Sequence, residues 1–253
     1  LINALIGLEE GVVRPPTQYH CNYGYYSSGH HVGCHGHKSP VDLVESIQVS
    51  CNAYYCNVFR NILDNPKYED IYESFDKWRA YLLDFGFGQK SGVDLTNELK
   101  GIIPSTEFYD RYYRRNGWKS LNVVSLAIGQ GELGTTPIQM ANMTAAIANR
   151  GHYYPPHVVK EIEGDMSLDS TYKIPRKIPI DSAHFETVIE GMDLAVNGEP
   201  GSGSTARSAH MAGITICGKT GTAENPHGED HSIFVAFAPK EDPQIAIAVY
   251  VEN

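Results

Sequence analysis

Apolar residues near the carboxyl end of the chain fall into three short runs, which are separated by polar turns. The runs cover residues 214–217, 233–237 and 245–251. Runs of this length, bounded by glycine, proline and charged residues, are typical of β-strands. We therefore expect an antiparallel meander here, with the tetrad at 219–222 at the end of its first strand.

Helical spacing of apolar residues dominates the rest of the chain. Ser39 is expected to cap a helix that has Pro40 at its first position and Asp42 as the acid of a capping box, and that runs towards Ser50. Residues 14–38 have no periodicity and are predicted to form a loop. The other predicted helices cover residues 1–13, 53–63, 68–85, 137–148 and 182–195. Helices combined with a meander indicate an α/β domain.

Length and charge narrow the class of protein. The 253 residues, of which 42% are hydrophobic, are enough for one sizeable α/β domain. A formal net charge of −10 argues against nucleic acid or an anionic membrane surface as a partner. Helical periodicity starts at Leu1 without a capping residue, and the chain stops directly after its last apolar run. We expect a domain truncated at both ends.

Two short motifs carry the chemistry. Ser50-Cys51-Asn52 separates two helical segments, and Lys219-Thr220-Gly221-Thr222 follows an apolar run. A cation, two hydroxyls and a glycine on a strand suit the binding of a carboxylate-bearing peptide. Ser-x-Asn alone arises often by chance, but the two motifs in this order resemble two of the three signatures of penicillin-binding proteins and serine β-lactamases.

The resemblance extends beyond these motifs. Two pairs of segments are similar to stretches of class B penicillin-binding proteins: residues 85–88 with 92–95 (FGFG, GVDL) and residues 128–131 with 136–141 (IGQG, TPIQMA). The Gly-Gln-Gly version resembles the elongation-type members more than the septal ones. The resemblance implies the penicillin-binding-protein/serine β-lactamase-like fold, an antiparallel sheet flanked by helices with an all-helical lobe. Residues 1–253 would form the transpeptidase domain, with a Cys/His-rich loop at 20–38.

The same resemblance assigns roles within the motifs. A proton would pass between the motif lysine and the reacting amine through Ser50, and Asn52 would hold the substrate amide. Lys219 would supply positive potential for the substrate carboxylate, and the Thr222 N–H would be an oxyanion donor. The implied catalytic residues are Ser50, Asn52 and Lys219, and the implied substrate-binding residues are Thr220, Gly221 and Thr222.

The third family signature, Ser-x-x-Lys at a helix start, has no convincing match in the chain. Ser170 to Lys173 runs into Pro175 and Pro179, which forbid the necessary helix. The match that starts at Ser74 comes after Ser-x-Asn instead of before it, and its aromatic neighbours indicate a packing helix. We therefore expect the nucleophilic serine just upstream of Leu1, so that this fragment itself would be inactive.

By resemblance, the activity is that of an elongation-type peptidoglycan D,D-transpeptidase inhibited by β-lactams. Its partners would be stem peptides, β-lactam antibiotics, a membrane glycosyltransferase and the elongation machinery, at the periplasmic face of the bacterial inner membrane. Catalysis would need no cofactor. A β-lactamase or β-lactam sensor is one alternative, although no deacylating acid is identifiable. An inactive scaffold is another, against which the intact Ser50, Asn52, Lys219 and Thr220 count.

A second group of candidate functional residues consists of cysteines and a histidine that could bind a metal ion. Cys34 and His37 have metal-ligand spacing, and Cys21 and Cys51 complete a possible Cys₃His set for a structural zinc ion. His35 is the alternative histidine ligand. A Cys21–Cys34 disulfide or free thiols remain open, because the spacing between the first two cysteines is not diagnostic. The remaining two cysteines stand in apolar runs and are expected in the core.

Overall fold

A three-stranded meander packed against helices forms the centre of the molecule, as seen in a computed structural model that describes residues 1–163, 169–225 and 227–252. Its α-helices are α1 (Ile2–Glu9), α2 (Leu43–Gln48), α3 (Asn52–Leu63), α4 (Ile71–Asp84), α5 (Thr106–Tyr113), α6 (Pro137–Ala148) and α7 (Ser182–Asn197). Its strands are β1 (Gly24–Ser27), β2 (His30–Gly33), β3 (His152–Tyr153), β4 (Arg176–Lys177), β5 (Cys217–Ala223), β6 (His231–Ala238) and β7 (Ile245–Val251). Short 3₁₀ helices cover Ser120–Ile128, Ser170–Lys173 and Arg207–Ala209.

The meander confirms the predicted antiparallel arrangement, with strand order β5-β6-β7. The tetrad lies in the carboxyl-terminal part of its first strand, as predicted, but β5 begins at Cys217 and ends at Ala223, later than the apolar run at 214–217 indicates. Lys219 pairs with Val235, and Thr222 pairs with Ser232. Backbone pairing with β6 extends the strand across polar residues that hydrophobicity alone does not mark as a strand.

Helices cover the meander on the side of the core. α7 packs against β5 and against α2, and α6 packs against β7. Close approach of α7 and α2 requires a glycine, because a Cβ atom at Gly191 would lie 2.6 Å from the Cβ atom of Ile47. Cys56 and Cys217 are fully buried, which confirms the prediction that they belong to the core.

A helical lobe stands beside the sheet and is centred on aromatic side chains. Phe75 lies at its middle, with ring centroids 5.2 Å from Trp78, 5.6 Å from Tyr109 and 5.4 Å from Trp118. α1 runs between this lobe and the rest of the core, since it packs on α3, α4 and α7. The lobe therefore contacts both α1 and α3.

Most of the predicted helices are present, and two predictions need correction. The helices expected at 53–63, 68–85, 137–148 and 182–195 are confirmed within a few residues. The helix expected from Pro40 begins at Leu43, because Asp42 is its N-cap and forms a capping box with Glu45. Ser39 instead accepts a hydrogen bond from the Cys21 N–H at 2.9 Å. α1 ends at Glu9, before Gly11 takes a φ of +68°.

The segment expected to be an irregular loop contains a hairpin. β1 and β2 pair with Gly24 opposite Gly33 and Ser27 opposite His30. Arg60 of α3 donates to the Tyr25 hydroxyl at 2.7 Å, so the hairpin is held by a tertiary contact that local periodicity does not reveal. In the part of the chain that the structure describes, no helix is long and apolar enough to cross a membrane.

Candidate active site

The first residues of α1, the turn before α3, strand β5 and the loop after Ile128 surround a cavity of about 990 Å³. These elements come from distant parts of the chain, and each contributes a polar group or a helix end to the cavity wall. The sequence-predicted residues that line it are Ser50, Asn52, Lys219, Thr220, Gly221 and Thr222. The structure therefore brings both motifs together at one site.

Ser50 occupies a strained backbone conformation at the cavity wall. Its φ is +55°, which is uncommon for a residue that is not glycine. The turn between α2 and α3 enforces this conformation, since the Cys51 N–H donates to the Ser46 carbonyl at 3.0 Å. Strain of this kind persists where the surrounding structure fixes it, and it is typical of functional positions.

Lys219 connects the two motifs directly. Its Nζ atom donates to the Ser50 Oγ atom at 2.6 Å and to the Thr220 carbonyl at 2.8 Å. Burial lowers the pKa of the Lys219 ammonium group from 10.5 to about 8. Lys219 is thus a cation at neutral pH that a modest rise in pH would discharge.

Asn52 is the first residue of α3 and points its side chain towards the hairpin. Its Nδ2 atom donates to the Gly33 carbonyl at 2.8 Å. Its backbone N–H donates to the Cys34 Sγ atom at 3.4 Å. The hairpin and the residues that follow it therefore fix the position of the Ser-x-Asn turn.

The four candidate metal ligands converge in space. The Sγ atoms of Cys21, Cys34 and Cys51 and a ring nitrogen of His37 all lie within 4.8 Å of one another. The His37 Nε2 atom is 3.5 Å from the Cys34 Sγ atom, and its Nδ1 atom lies 2.6 Å from the Lys38 carbonyl oxygen. His35 is not part of this group and lines the cavity instead.

Serines from the two rejected Ser-x-x-Lys matches stand away from the cavity. Ser74 is fully buried, and its Oγ atom donates to the Leu63 carbonyl at 2.7 Å, which is a packing role in α4. Ser170 begins a short 3₁₀ helix on the surface. Neither residue lines the cavity, whereas Leu1, Ile2 and Asn3 at the start of α1 do.

Gln130 is a cavity residue to which the motif analysis gives no role. Its Nε2 atom donates to the Thr222 carbonyl at 3.2 Å, so it bridges the cavity from the loop after Ile128 to β5. The flanking Gly129 and Gly131 both have positive φ, at +80° and +75°. Glycines on both sides of one polar residue are a sequence signal for a tight turn that presents its side chain.

Comparison with known proteins identifies the family. The model of the penicillin-binding protein transpeptidase domain matches residues 1–253. The chain belongs to this family. A peptidoglycan D,D-transpeptidase MrdA from Acinetobacter baumannii is 32% identical over 231 residues, which is 84% of this chain and 32% of that protein.

Solved structures of the family share the fold. Pseudomonas aeruginosa PBP2, in complex with WCK 5153, has a TM-score of 0.78 and 33% identity, covering 100% of this chain and 54% of that one. Helicobacter pylori PBP2, in complex with MreC, has a TM-score of 0.75 and 26% identity, covering 99% of this chain and 44% of that one. The predicted fold class is confirmed. The chain spans about a third of the length of the curated MrdA relatives.

Proposed function

We propose that this chain is the transpeptidase domain of an elongation-type peptidoglycan D,D-transpeptidase. The observation that carries the proposal is the bond from Lys219 to Ser50, which joins the Lys-Thr-Gly and Ser-x-Asn motifs at the wall of one cavity. The curated relatives named MrdA support the same activity. The substrate would be a stem peptide that ends in D-alanyl–D-alanine.

The reaction would proceed through an acyl-enzyme. A serine hydroxyl attacks the carbonyl carbon of the D-alanyl–D-alanine amide, the C–N bond breaks, and the terminal D-alanine leaves as an amine that has gained a proton. An amine of a neighbouring stem peptide then attacks the ester, forms the new amide and returns a proton to the serine. Each step needs a group that moves a proton and a donor for the oxyanion.

Residues of this chain would supply most of those groups. Ser50 would pass the proton to the leaving amine and take it from the incoming one, and Lys219 keeps its hydroxyl oriented at 2.6 Å. The charge of Lys219, together with the hydroxyls of Thr220 and Thr222, would hold the terminal carboxylate. The Thr222 N–H would stabilise the oxyanion. Asn52 would contact the substrate amide.

The nucleophilic serine would lie upstream of Leu1. The start of α1 lines the same cavity as Ser50 and Lys219, so a helix extended by one turn would bring its side chains towards those residues. In a Ser-x-x-Lys motif, serine and lysine lie on one face of a helix, three residues apart. A domain that starts at Leu1 would then lack the acylating group.

Release of D-alanine tests this function. The full-length protein should liberate D-alanine from a stem pentapeptide and form a cross-linked product when an acceptor stem is added. Penicillin should abolish both products, because it acylates the same serine. Hydrolysis of penicillin at the rate of a β-lactamase, without release of D-alanine, would contradict the proposal and favour the β-lactamase alternative.

The partners and location of the full-length protein belong to the same proposal. The Helicobacter pylori PBP2 complex with MreC supports an association with elongation machinery at the periplasmic face of the inner membrane. A membrane glycosyltransferase would supply the glycan strands that the domain cross-links. Co-purification of the full-length protein with a glycosyltransferase from solubilised membranes checks this part, and consistent recovery of the protein alone argues against it.

We also propose a structural zinc ion bound by Cys21, Cys34, His37 and Cys51. Tetrahedral coordination with Zn–S near 2.3 Å and Zn–N near 2.0–2.1 Å places neighbouring ligand atoms roughly 3.6 Å apart. The 3.5 Å between the Cys34 Sγ and His37 Nε2 atoms fits this requirement. The Nδ1 atom of His37 faces the Lys38 carbonyl, which fixes the ring orientation as outer hydrogen bonds do in zinc sites.

Such an ion would brace the catalytic turn. Cys51 lies between Ser50 and Asn52, and Cys34 accepts the Asn52 N–H. Metal bonds from Cys51 to Cys21 and Cys34 would therefore join the segment around the hairpin to the Ser-x-Asn motif. Its role would be structural, because four protein ligands leave no open coordination position and only Cys34 of the four lines the cavity.

A further inference from the structure

Strand β5 has one open edge, and that edge faces the cavity. β5 pairs with β6 on one side and with no other strand among the described residues. The residues of β5 that line the cavity include Lys219, Thr220 and Thr222. An open strand edge is a ready template for an extended peptide, which pairs with it through main-chain hydrogen bonds.

Side chains occupy the acceptors on this edge. The Thr220 carbonyl accepts from Lys219 Nζ at 2.8 Å, and the Thr222 carbonyl accepts from Gln130 Nε2 at 3.2 Å. Successive carbonyls of a strand point to opposite edges, so carbonyls two residues apart point the same way. Lys219 and Gln130 therefore cap the acceptors that an incoming peptide strand would need.

The loop that carries Gln130 is built to present it. The N–H of Gln130 donates to the Ser125 carbonyl at 3.1 Å, and the N–H of Gly129 donates to the Leu126 carbonyl at 3.2 Å. Gly131 has a φ of +75°, which strains any other residue, and a Cβ atom there would also lie 2.5 Å from the Ser125 Oγ atom. The backbone of the loop is thus fixed, while the side chain of Gln130 projects across the cavity to β5.

We propose that Gln130 limits how strongly the site prefers acyl donors with an amide N–H, because its carboxamide caps the Thr222 carbonyl in the free domain and such a donor must displace it. The inference rests on the proposed transpeptidase function and names a residue that reduces the preference of that site for donors with this N–H. A ligand that offers an N–H at this position exchanges one hydrogen bond for another. A ligand without an N–H at this position leaves Gln130 in place and forms no hydrogen bond with the open edge of β5.

Two β-lactams separate these cases. Benzylpenicillin carries an acylamino side chain with an amide N–H, whereas penicillanic acid has the same bicyclic nucleus and no such side chain. The ratio of their second-order acylation rate constants, measured in the full-length protein, isolates the contribution of that side chain. Removal of Gln130 frees the Thr222 carbonyl, which helps only the ligand that pairs with it.

The expected result is a change in that ratio. In Gln130→Ala the ratio of benzylpenicillin to penicillanic acid should rise about three- to tenfold, the factor that corresponds to one neutral hydrogen bond. Gln130→Glu should raise it as well, because an ionised carboxylate cannot donate to the Thr222 carbonyl and keeps the size of the side chain. Gln244→Ala is the matched control, since the Gln244 side chain bonds to Asp242 in the turn before β7, outside the cavity.

Failure of this inference is distinct from failure of the proposed function. A wild-type protein that no penicillin acylates would refute the transpeptidase proposal itself. A wild-type protein that is acylated, with an unchanged or lower ratio in both Gln130 variants, overturns the role of Gln130. An equal increase in the acylation rate constants of both ligands overturns it too, because it would mean that Gln130 only obstructs the cavity.

Discussion

The Nζ atom of Lys219 lies 2.6 Å from the Oγ atom of Ser50, although the two residues are 169 positions apart in the chain. Strand β5 brings the lysine to the cavity, and the strained turn between α2 and α3 brings the serine. Neither motif identifies a site by itself, but this contact places both motifs in the same site. The charge of Lys219 is therefore the first property to test.

Removal of that charge should slow acylation. Lys219→Ala in the full-length protein would remove the proposed charge-assisted contact with the ligand carboxylate, worth about 1.5–3 kcal/mol. The acylation rate constant with benzylpenicillin should fall by about one to two decades, since 1.36 kcal/mol corresponds to tenfold. Stopped-flow or quenched-flow labelling measures it. Unchanged kinetics would remove Lys219 from its assigned role.

The pH dependence of acylation should report the same group. Burial lowers the pKa of Lys219 to about 8, so its ammonium group is charged below that pH and loses its proton as the pH rises through it. Acylation by a carboxylate-bearing β-lactam should therefore decline above about pH 8. Lys219→Arg keeps its charge throughout this range and should lack that decline. Identical profiles for the wild type and Lys219→Arg would contradict the assignment.

Zinc content tests the second proposed site. Purified full-length protein should contain about one equivalent of zinc, with sulfur ligands near 2.3 Å by X-ray absorption. Cys51→Ser should lose the metal, lower the thermal stability and slow acylation, because the metal link between the segment around the hairpin and the Ser50–Asn52 turn is then lost. Cys56→Ser is the matched control, as Cys56 is buried but outside the ligand group.

Two results would contradict the zinc proposal. One is a metal-free protein in which Cys21 and Cys34 are oxidised to each other, which would establish the disulfide alternative. The other is equal metal content in Cys51→Ser and Cys56→Ser. Elemental analysis together with mass spectrometry of the alkylated protein detects both.

Asn3 should matter for stability because it ties α1 to the loop that presents Gln130. Its Nδ2 atom donates to the Ala127 carbonyl at 2.8 Å, and its Oδ1 atom accepts from Trp78 Nε1 at 2.8 Å. Asn3→Leu leaves two buried polar groups unpaired, which should cost about 2–4 kcal/mol in the free energy of unfolding. Urea unfolding measures it.

Exposed Asn61 provides the comparison for Asn3. Its side chain donates to the Tyr19 hydroxyl at 2.7 Å on the surface. Asn61→Leu should therefore change the free energy of unfolding by less than about 1 kcal/mol. If Asn3→Leu and Asn61→Leu have the same small effect, the buried hydrogen bonds of Asn3 do not stabilise the start of α1.

The sequence predicts helices and strands whose apolar residues recur with a regular local spacing. It does not reveal elements that are held by contacts with residues far away in the chain. α6 begins at Pro137 and has an apolar stripe, so its position is readable from the chain. The hairpin of β1 and β2 carries no alternation and depends on contacts such as that of Arg60 with Tyr25. α5 has mostly polar and aromatic residues and buries only Thr106 and Tyr109, so no apolar pattern in the sequence predicts it.

The residues of the candidate site likewise include some that the sequence predicts and one that it does not. Ser50, Asn52 and Lys219 are predicted from the resemblance of their motifs to those of a known family, and the metal-ligand group is predicted from residue type and spacing. The contact of Gln130 with Thr222 could not be predicted, because the two residues are 92 positions apart and the acceptor is a backbone carbonyl; the flanking glycines signal only the turn.

The most direct test of the account is to map the residue that penicillin acylates. Full-length protein is labelled with a fluorescent penicillin, digested and analysed by mass spectrometry, with a domain that begins at Leu1 as the control. The account predicts one labelled serine, located N-terminal to Leu1 in a Ser-x-x-Lys sequence, and no adduct on the control. A label on Ser50, Ser74 or Ser170, or an adduct on the domain that begins at Leu1, would contradict it.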